Sequence, residues 1–278
     1  MTTTEQTSRP LHPWMRGMLY LAGILVFITG VQLFILTEQT DHFFAWTIKP
    51  SLTAATLGAA YWASCLLEIA AARKRLWVHA RISIPTVLIF TALTFVVTMI
   101  HLDRFHFASP DPIARIAAWA WLLVYAIVPL LLSILWIIQS RVPGSDQARH
   151  FTPGRLVASC LLLVGLVLIP VGVVLLIRPD LIIPAWPWML TPLAARAIGA
   201  WALALGIAMA HALWENDWMR IQTATLSLAA FGGLELIALA RYLGDVNWAL
   251  PQSIFYVGFM LCLFICGMVS IPLARRKP

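Results

Sequence analysis

Four ionisable side chains fall inside stretches otherwise suited only to hydrocarbon: Glu68, Arg196, His211 and Glu235. Charge at such depth is costly, so these residues are the expected substrate-binding positions. Glu68 and His211 lie at similar depth in two different stretches. If they meet, the carboxylate stabilises the imidazolium, and the pair can exchange a proton or hold a polar head group. The local alternative is that Glu68 snorkels toward Arg73 or Arg75 while His211 pairs with Glu215, four residues on. Arg196 and Glu235 form a second candidate pair. An ion pair would satisfy both, or a solute carboxylate or phosphate would compete for Arg196.

The remaining chemistry-bearing patterns are weaker. Thr91, Thr94, Thr98 and His101 make one polar stripe by their spacing, but threonines readily bond their own helix backbone. His101, Asp103 and His106 are zinc-type ligands without a specific metal spacing, and Arg104 sits among them. Cys262 and Cys266 are one helical turn apart and read as small buried hydrophobes. No phosphate-binding loop, dinucleotide fingerprint, nucleophile elbow or zincin helix is present in the sequence. His101 and His211 sit toward opposite faces, which speaks against a bis-histidine haem. No catalytic residue, metal or cofactor is assigned.

The elements that must position these residues follow from composition. Only 11% of the 278 residues are charged and 61% are hydrophobic, with a mean hydropathy of +0.85. A soluble globule carries roughly 25% charge, so a soluble fold is excluded. A helix needs about 20 apolar residues to cross a bilayer. Eight such stretches are expected, at 16–36, 52–72, 82–101, 113–138, 156–177, 192–213, 219–241 and 253–273. The four cysteines all fall within them, so no disulfide framework is expected. Residues 1–15 and 274–278 are left as tails and 139–155 as a linker.

The net charge of +7 then reads as topology and not as nucleic-acid binding. With the N-terminus inside, thirteen basic residues fall at the inner face: Arg9, Arg16, Arg73, Lys74, Arg75, Arg81, Arg141, Arg149, Arg155, Arg220, Arg275, Arg276 and Lys277. Six fall outside or at the adjoining helix ends: Lys49, Arg104, Arg115, Arg178, Arg196 and Arg241. This bias orients both termini to the cytoplasm. Nine of the thirteen tryptophans fall at expected boundaries: Trp46, Trp186, Trp188 and Trp248 outside, and Trp14, Trp77, Trp136, Trp214 and Trp218 inside. The excess of arginine over lysine, 16 to 3, suggests a GC-rich bacterial genome and a plasma-membrane setting.

The two halves resemble one another. Ala45-Trp46, Pro50 and Leu52–Ala59 match Ala185-Trp186, Pro192 and Leu193–Ala200, with Gly58 and Gly199 separated by 141 positions. Asp103 matches Asp245, Phe107-Ala108 with Pro110 matches Trp248-Ala249 with Pro251, and Gly30 matches Gly172. Four spans per unit is an even number. The expected fold is therefore an all-α integral membrane protein with two parallel four-helix repeats, 16–138 and 156–273, related by a pseudo-twofold axis along the membrane normal. Small residues crowd the second and sixth spans, which places them at the centre. Ser109-Pro110 and Thr191-Pro192 read as N-caps followed by a first-turn proline, and Pro129 and Pro170 as kinks within spans four and five.

Three functions fit these features. The first is binding or transport of a small solute or lipid through an intramembrane polar site. The second is a non-catalytic accessory or scaffold subunit of a membrane complex. The third is a membrane-embedded enzyme acting on a lipid-soluble substrate. Membrane lipids, a small ligand and membrane-protein partners are the expected contacts, and nucleic acid is not.

Overall fold

The computed structural model describes residues 8–275, with 270–275 given by backbone alone. The remaining residues of the two expected tails, 1–7 and 276–278, lie outside the described residues. Eight long helices account for the architecture: α1 Pro13–Gly30, α2 Ser51–Ala72, α3 Ser83–Ile100, α4 Pro112–Ser140, α5 Arg155–Ile177, α6 Pro192–Glu215, α7 Trp218–Arg241 and α8 Pro251–Arg275. All eight are long and apolar enough to cross a membrane, and no strand occurs among the described residues. The expected bounds lie within three residues of the helix bounds, except that the first stretch runs to 36 where α1 ends at Gly30 and a π-helical turn, Val31–Ile35, continues it.

Helix starts follow capping chemistry. Pro13, Pro112 and Pro192 occupy first-turn positions, where a missing amide costs nothing. Thr191 accepts from the Ala194 amide at 3.2 Å, as its sequence suggests. In the first half the cap is Asp111, which accepts from the Ile113 amide at 2.9 Å. The helix thus begins two residues later than Ser109-Pro110 would place it. Ser109 Oγ instead accepts from the Asp111 amide. Asp217 caps α7, directly after Asn216 ends α6 in the left-handed region at φ 42°, a conformation that asparagine tolerates. Pro129 and Pro170 lie inside continuous helices α4 and α5, where kinks are expected from sequence.

Burial separates the centre from the periphery. In the apolar window of α2, 72% of residues are buried, against 22% in α4 and in α8. Helix α6 follows α2, and these two carry the alanine- and glycine-rich faces. Close approach requires that composition. A Cβ on Gly58 would lie 2.5 Å from the Phe34 backbone nitrogen, and one on Gly199 would lie 2.9 Å from Leu175 Cβ. Helix α1 packs on α2, and α5 packs on α6. The third helix of each half crosses over, α3 onto α6 and α7 onto α2. Helices α4 and α8 flank α3 and α7.

The two ends of the bundle are tied differently. At one end, which includes 139–155 and is called the linker end, Arg9 and Leu11 bond the backbone of Ser145 and Arg75. Arg81 bridges Asp146 at 2.7 Å and Glu215 at 2.5 Å. At the opposite end, the Leu52 amide at the start of α2 donates to Asp245 Oδ2 at 3.1 Å, and Arg241 donates to the Phe34 carbonyl at 2.8 Å.

The tryptophans depart from a simple interfacial belt. Trp14, Trp214 and Trp248 are exposed, but Trp46, Trp77, Trp188 and Trp218 are buried. Trp188 donates to Thr53 Oγ1 at 3.0 Å. Trp46 packs with Phe44, Phe105 and Trp121, at centroid distances of 4.6–5.1 Å. These rings plug the ends of the bundle from within.

Candidate functional site: two cavities and four separated polar residues

The bundle encloses two cavities. The smaller, about 170 Å³, lies among α1, α2, α3 and α4. The larger, about 510 Å³, lies among α5, α6, α7 and α8, with α2 and the inner end of α3 completing its wall. Ala45 lines the smaller cavity, and Ala185 and Trp186 line the larger.

Aromatic side chains fill most of the space in the first half. Tyr61 and Tyr125 share a hydrogen bond of 2.6 Å between their hydroxyls. Trp121 packs 4.4 Å from Tyr125 and donates to Thr98 Oγ1 at 3.0 Å. Phe90 stands edge-on to both tyrosines and stacks on Trp201 of α6, with 3.7 Å between centroids. Such pairs add about 0.5–1.5 kcal/mol each beyond their buried area, so the cluster is a rigid plug.

The larger cavity has apolar walls, including Leu57, Leu67, Leu168, Val171, Trp201 and Phe231. Its polar lining comes from Thr56, Ser64, Thr86, Ser227, Gln252 and Tyr256. Ser64 and Ser227 spend their hydroxyl hydrogens on Glu68 and on the Ala63 carbonyl. On one side the wall is thin, because α5 and α8 make few contacts with each other. Phe255, 76% exposed, and Gln252 stand there on α8 and line the cavity. The cavity lining therefore reaches the exposed face of α8 near its start.

The four residues singled out from sequence occupy four separate places. Glu68 is 1% exposed and lines the smaller cavity. Its Oε1 accepts from Ser64 Oγ at 3.0 Å, and its Oε2 has no partner among the described residues. It makes no ion pair with Arg73 or Arg75. His211 takes the local alternative, with Nε2 3.3 Å from Glu215 Oε1. Glu215 also binds Arg81 and Arg220, at 2.5 and 2.9 Å, so His211 belongs to the charged network of the linker end.

Arg196 and Glu235 do not pair. Arg196 donates to the Leu176 carbonyl at 3.0 Å and to His101 Nε2 at 2.9 Å. Glu235, 0% exposed, accepts at Oε1 from Thr56 Oγ1 and Tyr256 OH, both at 2.8 Å. The crossed packing explains the difference. Arg196 sits where α6 meets α3 and α5, whereas Glu235 sits where α7 meets α2 and α8. Its Oε2 also lacks a partner among the described residues. A buried carboxylate with a vacant oxygen is costly, and demands a proton, a cation or a ligand donor.

The weaker patterns resolve into structure. Thr91 and Thr98 bond the Val87 and Thr94 carbonyls at 2.8 Å. His101 faces Arg196, Asp103 faces Arg104, and His106 faces Thr47 and the Phe44 carbonyl. No group of three residues able to hold a metal occurs among the described residues. Cys262 and Cys266 share a face, with sulfurs 3.7 Å apart.

Sequence reasoning missed Thr56 and Tyr256, which hold Glu235. The available signal was a tyrosine inside an apolar span, because a buried phenol needs a partner. It also missed Arg81 and Arg220 as the cations that gather on Glu215. No protein-family model, curated protein or solved structure matches this chain. The fold and site define an eight-helix protein of membrane-protein type with a larger apolar cavity in one half and a smaller, aromatic-lined cavity in the other.

Proposed function

We propose that the chain is a multi-pass plasma-membrane protein, of bacterial type, that binds a lipophilic molecule in the cavity among α5–α8. The observation that carries this reading is the 510 Å³ apolar chamber, whose lining reaches the exposed Gln252 and Phe255 of α8; in this reading it opens there toward lipid. Ligand sites are typically concave, mostly apolar and about 300–1,000 Å³. A sideways opening on a lipid-facing flank admits molecules from the bilayer. The dispersal of Glu68, Arg196, His211 and Glu235 moves the site away from a shared polar centre to this chamber and its polar rim.

In this reading both termini are cytoplasmic. The linker end is the cytoplasmic end, in keeping with eleven basic residues there among the described residues against six toward the other. The halves are parallel repeats about an axis along the membrane normal. Equivalent contacts support this. Gly58 meets Leu33 and Phe34, and Gly199 meets Leu175 and Leu176, positions 142 residues apart. The exchange of α3 and α7 between halves is what a twofold axis would produce.

The test is photocrosslinking in native-like membranes with a lipid analogue carrying its reactive group along the acyl chain. The expected adducts are on Val171, Trp201 or Phe259, which line the chamber. Adducts confined to the outward faces of α4 and α8, with none in the chamber, would overturn the reading.

A further inference from the structure

The larger cavity carries an arrangement of hydrogen-bonding groups that goes beyond an apolar chamber. Thr56 and Tyr256 both line it, and both point their hydroxyl hydrogens at Glu235 Oε1, at 2.8 Å. Glu235 Oε1 is the acceptor in both bonds, so each hydroxyl is the donor there. What each oxygen retains is lone pairs. The wall therefore offers acceptors at this point, held in orientation by a buried carboxyl group behind them.

Beside them stands a buried donor. Trp186 also lines the cavity, with its ring centroid 5.7 Å from that of Tyr256. Its Nε1 is buried and has no partner among the described residues. Buried indole N–H groups normally find an acceptor. Trp188 shows the satisfied case nearby, donating to Thr53.

We infer that this corner is a subsite for a hydroxyl group, and that the ligand is an uncharged lipophilic alcohol. The inference rests on the proposed binding function and narrows it. A hydroxyl group both donates and accepts. Its hydrogen meets the oxygen of Thr56 or Tyr256, and its oxygen accepts from Trp186 Nε1. A ketone, ester or ether can accept from Trp186 but leaves the Thr56 and Tyr256 oxygens without a donor. A carboxylate or phosphate would face the two hydroxyl oxygens and the carboxyl group behind them, which repel it.

The subsite also supplies what an apolar chamber in a bilayer lacks. Lipid tails are as apolar as leucine, so no hydrophobic gain draws a hydrocarbon from the membrane into the protein. Selection must come from packing and from hydrogen bonds that hydrocarbon cannot offer. Thr56, Tyr256 and Trp186 lie at the end of the chamber opposite the linker end, while Leu67, Thr86 and Leu205 line its other end. The alcohol therefore lies with its hydroxyl toward the outer face and its chain running inward.

The experiment uses the full chain in nanodiscs and saturable quenching of tryptophan fluorescence. The probes are a long-chain alcohol, its methyl ether, the matching ketone, the matching fatty acid and the matching hydrocarbon, each brominated at the far end. The alcohol should bind about fivefold or more tighter than ether or ketone, the scale of one net hydrogen bond. Ether and ketone should in turn exceed the hydrocarbon and the acid. Tyr256→Phe should shrink the advantage of alcohol over ether. Trp186→Phe should remove that of ether over hydrocarbon, with Trp201 still reporting. Equal affinity for alcohol and ether in the wild-type protein, or tighter binding of the acid, overturns the hydroxyl subsite while leaving the cavity reading intact. Saturable binding of no probe at all overturns both.

Discussion

The two halves place similar scaffolds around different contents. In the first, Tyr61, Phe90, Trp121 and Tyr125 interlock and leave about 170 Å³. In the second, about 510 Å³ stays open. At the 141-residue offset, Tyr61 corresponds to Ala202, Trp121 to Cys262 and Tyr125 to Cys266, while Phe90 corresponds to Phe231. Three large rings on one side thus face an alanine and two cysteines on the other. On the proposed repeat, the two halves share helix contacts and differ in side-chain volume. The lesson is that helix contacts and cavity contents are set by different residues.

Removing the plug gives the largest expected effect on stability. Trp121→Ala should cost about 3–5 kcal/mol, because it empties a packed aromatic site that cannot fully collapse. Chemical denaturation in detergent would read it. A loss of less than about 1 kcal/mol would mean that the first half is not held by its rings. The converse change fills the open side. Ala202→Tyr places in α6 the residue that α2 carries at Tyr61, and should weaken lipophile binding by about tenfold or more, equal to about 1.4 kcal/mol. Unchanged affinity would locate the ligand elsewhere.

The buried carboxyl groups should differ in the same sense. Glu235→Ala strands the hydroxyls of Thr56 and Tyr256 and should cost about 1–3 kcal/mol. Both changes remove an oxygen without a partner among the described residues, but Glu68→Ala frees only Ser64, whose hydroxyl can turn to its own helix backbone. Its cost should be the smaller of the two in parallel denaturation curves, and the reverse order would break the distinction between the sites.

The smallest effect concerns acid sensitivity at the linker end, away from either cavity. Burial, aided by the nearby Lys74, holds His79 below the usual histidine range. A depressed folded value means that the unfolded chain binds the proton more readily. Stability from this group is therefore present above about pH 6.5 and is lost as pH falls below it. His79→Gln should flatten the decline of thermal stability between neutral pH and about pH 5. An unaltered slope would remove His79 from the account.

The sequence carried the helices far better than it carried the site. Apolar runs and capping residues such as Thr191 are local signals, so eight helices were legible and most of their limits fell within a few residues. So was the His211–Glu215 contact, which spans one helical turn. Arg196 and Glu235 were legible as buried charges but not as partners. Which face each helix turns to which neighbour depends on the crossing of α3 and α7. Cavity volume is less local still, because it sums side-chain sizes from several helices. Thr56, Tyr256 and Trp186 come from α2, α8 and the segment before α6, and only the folded chain makes them neighbours.

The most direct measurement of the contrast is xenon binding in crystals of the full chain, read by anomalous scattering, since xenon enters empty apolar cavities without needing a hydrogen bond. The expected result is the stronger site between Trp201 and Phe231, in the larger and more apolar cavity, with weaker occupancy beside Tyr61 and Tyr125, where the cavity is about 170 Å³ and carries Glu68 in its wall. Equal occupancy of both cavities, or xenon in the first half alone, would contradict the account of a larger apolar chamber in the second half.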